Sequence, residues 1–311
     1  MENFCCDNKK KRSNIRRKKE LIFYLLMMII PVIQVIIFYF VVNANSILLS
    51  LKEYTIFDDG KTDYIFVGFK NFSQGFKDLF NEYSLVSSFK NSFTAFVGQA
   101  LVMPWLAMLF SYYIYKNRFG GKFFNVLLFL PSIISPLVIT LIYKVMLEDA
   151  IPEAIFLFAG KEIMPIFSSH TLASLLFYYF FAGFGTSVLL YSGAMSGIDP
   201  SIIEAADIDG ATGIRAFISI VFPLVYPTFV TFITVAAASI FTNQLHLHSF
   251  EGSQAEKAYY TYGYFLYVKT SGGTVADYPY LAALGIIFTF IAIPLTFGVK
   301  KLLNKFGPSI D

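Results

Sequence analysis

Residues 193–217 combine capping, small and charged residue types at spacings that suit docking rather than catalysis. Asp199 precedes Pro200, the order expected of a helix N-cap followed by a first helical position where a missing N–H costs nothing. Ser201 to Asp209 continue the turn, with Ile202, Ala205, Ala206 and Asp209 roughly on one face. Gly210 can adopt the left-handed conformation that ends a helix. Thr212 is placed to cap the next helix, which runs toward Pro223. Small alanines allow close approach, and Glu204, Asp207 and Arg215 offer charged contacts. The product is a compact elbow suited to a cleft on another protein. A plain helical hairpin capping its own bundle is the other reading of these residues.

Residues of a catalytic or metal type are few. His246 and His248 form a His-x-His pair and His170 stands apart, with no cysteine nearby to complete a metal site. They read as ordinary loop histidines. Cys5 and Cys6 are adjacent near the N-terminus, where they cannot staple distant segments. No GxSxG, HExxH or GxxxxGK[ST] occurs, so the chain carries no recognisable nucleophile and no phosphate cradle of its own. Uphill transport would need energy from another chain, with ATP and Mg used there and no cofactor bound here.

The elements that must position the elbow follow from composition. Of 311 residues, 56% are hydrophobic, 14% charged and 18% aromatic, against roughly 45–50% apolar and 25% charged in soluble domains. Disordered, disulfide-scaffold and ordinary soluble-enzyme classes are excluded. The net charge of +3 is too small to indicate a nucleic-acid partner. Six apolar stretches, near 21–42, 92–115, 123–143, 172–191, 218–241 and 281–299, are long enough to cross about 30 Å of hydrocarbon. None contains Asp, Glu, Lys or Arg. The first carries Pro31 and Gln34, lacks a convincing cleavage site, and reads as a retained span.

Orientation follows from the basic residues. One side receives the run from Lys9 to Lys19, then Lys116, Arg118 and Lys122, then Arg215, then Lys300, Lys301 and Lys305, while acidic residues gather on the other. The expected architecture is all-α: a polytopic bundle of six transmembrane helices with both termini cytoplasmic. It comprises a basic tail over 1–20, a permease domain over 21–306 with the elbow on the cytoplasmic side, and a short tail over 307–311. The basic run reads as a topology anchor that also meets anionic lipid. Segments 43–91, 148–169 and 242–280 fall outside and are expected to form short helices on the membrane surface. Lys144, Glu148 and Asp149 are expected to snorkel at a boundary. Pro31, Pro104, Pro131, Pro136, Pro223, Pro227 and Pro294 sit in or at the ends of spans and fit helices bent around a pathway.

Glu204-Ala205-Ala206, Gly210, Ile220 and Phe222-Pro223 are spaced as in the EAA loop of membrane subunits of bacterial ABC importers, whose pattern is EAA-x3-G-x9-I-x-LP. Phe222 stands where Leu is usual. The chain resembles that family over about residues 20–306, and within it the sugar-importing branch, similar to maltose-type and complex-polysaccharide permeases. Val67–Phe72, Leu130–Pro136, Ile208–Ala211, Tyr262–Tyr267 and Leu281–Gly285 carry the wider likeness.

The resemblance implies half of a pore in a bacterial cell membrane. A second homologous permease, a cytoplasmic ATPase dimer gripping both EAA loops, and an extracellular solute-binding protein would complete the system. Glu204, Ala205, Ala206, Asp207 and Gly210 would then couple to the ATPase, with Ile220 and Pro223 supporting the exit into the fifth span. A sugar offers flat apolar faces edged by hydroxyls, which aromatic rings and amides suit. Tyr143, Tyr178, Tyr179, Asn243 and Gln244 are the candidates on or near the spans. Other readings are a permease for a peptide or a phosphate-bearing compound, an ion-coupled carrier, and a membrane scaffold. The uncharged spans disfavour the carrier, because ionisable groups at depth mark ion pathways.

Overall fold

The computed structural model describes residues 2–57, 61–116 and 119–308, with side chains from Lys18 onward apart from Lys122. Arg118, the end of the C-terminal tail, and the side chains of Cys5, Cys6 and the basic run through Arg17 lie outside the described residues. The chain divides into two compact units, residues 1–73 with 275–284, and 74–274 with 285–311.

In the first unit, helix α1 (Lys18–Ser50) is the most apolar of the candidate spans. A hairpin of β1 (Lys52–Ile56) and β2 (Thr62–Phe66) follows, in register Tyr54↔Tyr64. Its paired tyrosine rings lie 5.5 Å apart, a cross-strand pair of the kind that fixes register. Asn71 Nδ2 donates to the carbonyls of Ser50 and Lys52 at 2.9 and 2.7 Å. The first outer segment, expected as surface helices, is therefore partly a strand pair.

The second unit contains α2 (the Lys70–Asn81 helix, from Gln74 on), α3 (Tyr83–Tyr115), α4 (Gly121–Ile133), α5 (Pro136–Ala159), α6 (Ile166–Ser169), α7 (Thr171–Ser196), α8 (Pro200–Ile208) and α9 (Gly213–Ala238). After α9 come α10 (Leu247–Glu251), α11 (Tyr262–Gly272) and the greater part of α12 (Tyr278–Phe306). Among the described residues, five helices are long and apolar enough to cross a membrane, or six if the bent pair α4/α5 counts as one. The protein is a polytopic helical membrane protein.

That bent pair divides the third expected span, over 123–143, into two helices. The helix stops at Ile133 and restarts at Pro136, turned by 102°. Pro136 disfavours helical geometry at Ser135, whose ψ is 128°. Pro104 and Pro223 act differently. Each sits just past a π-helical turn, Gly98–Val102 and Phe217–Val221, and the helix continues through. The wider turn accommodates a residue that cannot donate to the ladder.

The core forms where α3, α7 and α9 meet, around Met108, Val188, Tyr191, Val221, Val225 and Phe229. Small residues set the spacing. A Cβ on Gly185 would collide with the Leu128 carbonyl, so α7 and α4 pack backbone to backbone. Ser111 Oγ bonds the carbonyls of Ala107 and Val188 at 2.7 and 2.8 Å, satisfying a hydroxyl that lipid could not.

Candidate functional site

The elbow is built from local signals. Asp199 accepts a hydrogen bond from the Ser201 N–H at 2.9 Å, as an N-cap should. That bond holds its carboxyl below the usual carboxylate range. Helix α8 ends in two bonds, Ala211 N–H to the Ala206 carbonyl at 2.8 Å and Gly210 N–H to the Asp207 carbonyl at 3.2 Å. Together with φ +76° at Gly210 they make a Schellman motif. A Cβ on Gly210 would meet nothing within 4 Å. The requirement for glycine is therefore one of backbone conformation, not of space.

One detail differs from expectation. Thr212 occupies the N-cap position of the next helix but makes no side-chain capping bond. Along α8, Ala206 is buried and Ile203 packs on the core, while Ile202, Ala205 and Asp209 are exposed. Ile202, Ile208 and Ile214 are 42%, 86% and 75% exposed. Glu204 and Arg215 of the same segment are exposed as well. Ile220 and Pro223 are half-buried in the run into α9.

Two anchors of the elbow lie in α3 and its end and have no motif to announce them. Tyr112 Oη donates to the Gly213 carbonyl at 2.8 Å, and Lys116 Nζ stands 3.7 Å from Asp207. Gly213 itself has φ +59°, so the elbow contains two left-handed glycines. A cavity of about 460 Å³ lies between these anchors and the elbow.

At the far end of α9, four of the five candidate path residues come together. Tyr143 and Tyr178 have rings 5.1 Å apart, Tyr179 lies beside Asn243, and His246 lies edge-on to Tyr178 at 5.3 Å. Gln244 is next in sequence and half-exposed. The tyrosines differ in availability. Tyr143 Oη donates to the Ser174 carbonyl at 3.0 Å, and Tyr178 Oη pairs with Thr140 at 2.8 Å, both buried. Their hydroxyls serve the packing, which leaves Tyr179, Asn243 and Gln244 as the half-exposed members.

The segment after α9 is held in an unusual conformation. Leu245 and His246 both have positive φ, +49° and +56°, and Leu245 is fully buried. Asn243 Oδ1 accepts from Leu245 N–H at 2.9 Å. Burial lowers the pKa of His246 below its usual 6.5, so it favours the neutral form. Lys144 does not snorkel: its Nζ pairs with Glu251 at 2.7 Å and stands over the Phe167 ring. His248 bonds Tyr267 Oη at 3.0 Å. Among the described residues no group of three or more His, Cys, Asp or Glu side chains could hold a metal.

Residues 103–308, which include the elbow and α9, match the family model described as binding-protein-dependent transport system inner membrane component. The chain belongs to this family. It is a membrane transport subunit, a multi-pass protein of the cell membrane. Among the family's curated members, the sn-glycerol-3-phosphate transport system permease protein UgpA of Rhizobium meliloti is 27% identical over 244 residues, covering 77% of this chain and 81% of the relative. The polygalacturonan/rhamnogalacturonan transport system permease protein YteP of Bacillus subtilis is 23% identical over 251 residues, covering 78% and 75%. A chain from the crystal structure of a bacterial ABC transporter involved in the import of the acidic polysaccharide alginate superposes with a TM-score of 0.70 at 18% identity, covering 95% of this chain and 99% of that one. A second alginate transporter structure, in complex with an alginate-pentasaccharide-bound periplasmic protein, gives 0.69 at 19% identity, covering 92% and 94%.

Proposed function

We propose that this family member is one membrane half of an ATP-driven importer for carbohydrates of oligosaccharide or polysaccharide-derived size. The observation that carries the reading is the elbow: a doubly capped helix with Ile202 and Ile208 exposed on it and Ile214 exposed just after it. In this reading Glu204, Ala205, Ala206, Asp207 and Gly210 seat in a cleft of a cytoplasmic ATPase, and Ile220 and Pro223 transmit the motion into α9. ATP and Mg act in that partner, and this chain binds no cofactor. A second homologous permease supplies the other half of the pore, and an extracellular solute-binding protein delivers the sugar. ATPase closure would move the elbow as a lever and shift the population from inward-open to outward-open states.

Tyr179, Asn243 and Gln244 would line the path, with Tyr143 and Tyr178 framing them. A permease for a phosphate compound is the second reading, favoured by the glycerol-3-phosphate relative. Against it, the half-exposed path residues carry no positive charge, and the nearby Lys144 is committed to Glu251. A dianion would find no free cation among these groups.

Reconstitution of the chain in liposomes tests both. Uptake of a labelled oligosaccharide that requires the matching ATPase, binding protein and second permease together supports the first reading. Uptake of glycerol 3-phosphate in its place supports the second, and uptake by the chain alone along an ion gradient overturns both.

A further inference from the structure

The foot of α3 carries two adjoining cavities, one almost wholly apolar and the other partly polar. One, of about 370 Å³, is lined by Leu109, Phe110, Tyr113, Ile114 and Phe124 and is almost wholly apolar. The other, of about 460 Å³, shares Leu109 and Tyr113 with it and adds Lys116, Asp207, Thr212 and Gly213. Both fall within the range of small-molecule sites. Their order along the helix matters. Lys116 caps the span, where hydrocarbon gives way to head groups, and the apolar walls lie up to two turns deeper.

We propose that the two cavities together hold one phospholipid. An acyl chain occupies the apolar chamber and the head group the polar one. The apolar walls at Leu109, Phe110 and Phe124 are exposed in this chain rather than sealed by it. The polar chamber offers a cation and an anion side by side, Lys116 and Asp207, loosely paired at 3.7 Å and both partly exposed. A phosphate suits Lys116, and a head group that donates hydrogen bonds beyond its phosphate suits Asp207 and Thr212. Phosphatidylethanolamine meets both conditions. Phosphatidylcholine supplies the phosphate but no donor. Basic pockets between helices at the cytoplasmic face are where lipid head groups bind.

Because Asp207 belongs to the elbow, an occupied site would tie the elbow to the inner leaflet through the lipid. The inference rests on the inward-facing elbow of the proposed function, but its test involves no uptake. The full chain is purified, delipidated, and titrated with phosphatidylethanolamine, phosphatidylcholine of the same chains, and inorganic phosphate, with retention read by native mass spectrometry. A photoactivatable phosphatidylethanolamine then locates the site. Preferential retention of phosphatidylethanolamine and labelling of the Leu109–Phe124 region are expected. Lys116→Gln should weaken retention about fivefold, the weight of one basic residue at a lipid surface. Leu109→Trp, which fills the shared wall, should remove the label, and Phe124→Trp, on the opposite wall, should do the same if Leu109→Trp fails to fold. Equal retention of the two lipids, competition by inorganic phosphate, or labelling confined to other spans would overturn the proposal.

Discussion

The two connecting segments at either end of α9 are built on opposite principles. The elbow before it draws its local shape from its own residues, with Tyr112 and Lys116 anchoring it from outside. Its cap, its Schellman bonds and its left-handed glycine all come from within residues 199–213, and it leaves apolar side chains facing outward. The segment after it, residues 239–262, is held by others. Asn91 Nδ2 donates to the carbonyls of Ala258 and Tyr260, Ser87 Oγ to that of Lys257, and Ser92 Oγ accepts from Tyr262 N–H. Phe250 lies within about 6 Å of the rings of Tyr143, Phe167 and Tyr178. Two L-residues in left-handed geometry persist there because the surroundings over-determine them. One segment takes its local shape from its own residues, and the other takes it from its neighbours.

That contrast can be broken most severely from the outer side. Asn91→Leu removes the side-chain donor from one buried and one half-buried carbonyl, at up to about 1–3 kcal/mol each. A loss of about 2–6 kcal/mol should show as a lower melting temperature and a reduced folded yield. Next is the half-buried pair of Lys144 and Glu251. Lys144→Met should cost about 1–3 kcal/mol, between the values for exposed and buried pairs. The charge-swapped double variant should recover much of the loss in a thermal double-mutant cycle.

His246 gives a smaller effect with a definite sign. Its pKa in the folded protein lies below the ordinary 6.5, so the unfolded chain binds more protons on acidification. Its contribution to stability is complete above 6.5 and is lost as the pH falls toward the depressed value. The melting temperature should drop between about pH 7 and pH 5, and His246→Gln should flatten that part of the profile. The smallest change is on the elbow side. Tyr112→Phe removes one bond to Gly213, worth about 0.5–1.5 kcal/mol, and should lower the ratio of uptake to ATP hydrolysed more than it lowers the melting temperature.

The same contrast explains what was legible in the sequence. The N-cap at Asp199 and the helix end at Gly210 are set by nearby residues, and each is where its pattern indicated. The break at Ser135–Pro136 was partly legible: Pro136 marked a bend but not its size. Which side of α8 turns inward was not legible: Ile203 and Ala206 face the core, which α8's own periodicity does not encode. The outer segment was read as surface helices from its polar, tyrosine-rich composition. In the fold, its polar groups are satisfied by Ser87, Asn91 and Ser92, more than 160 positions away. Tyr143 and Tyr178 were chosen for their chemistry, but burial decides that their hydroxyls serve packing.

The central claim is that the elbow transmits work from a separate motor, and Gly210 tests it most directly. At φ +76° with open space around the position, a side chain is refused for backbone reasons only. A β-branched residue resists the left-handed region, while Asn tolerates it. The measurement is ATP-driven uptake by the reconstituted complex carrying Gly210→Val or Gly210→Asn, with membrane insertion and melting temperature as controls. The account predicts that the Val variant inserts and folds but does not transport, and that the Asn variant retains much of its uptake. Near-normal transport by a well-inserted Val variant would contradict it.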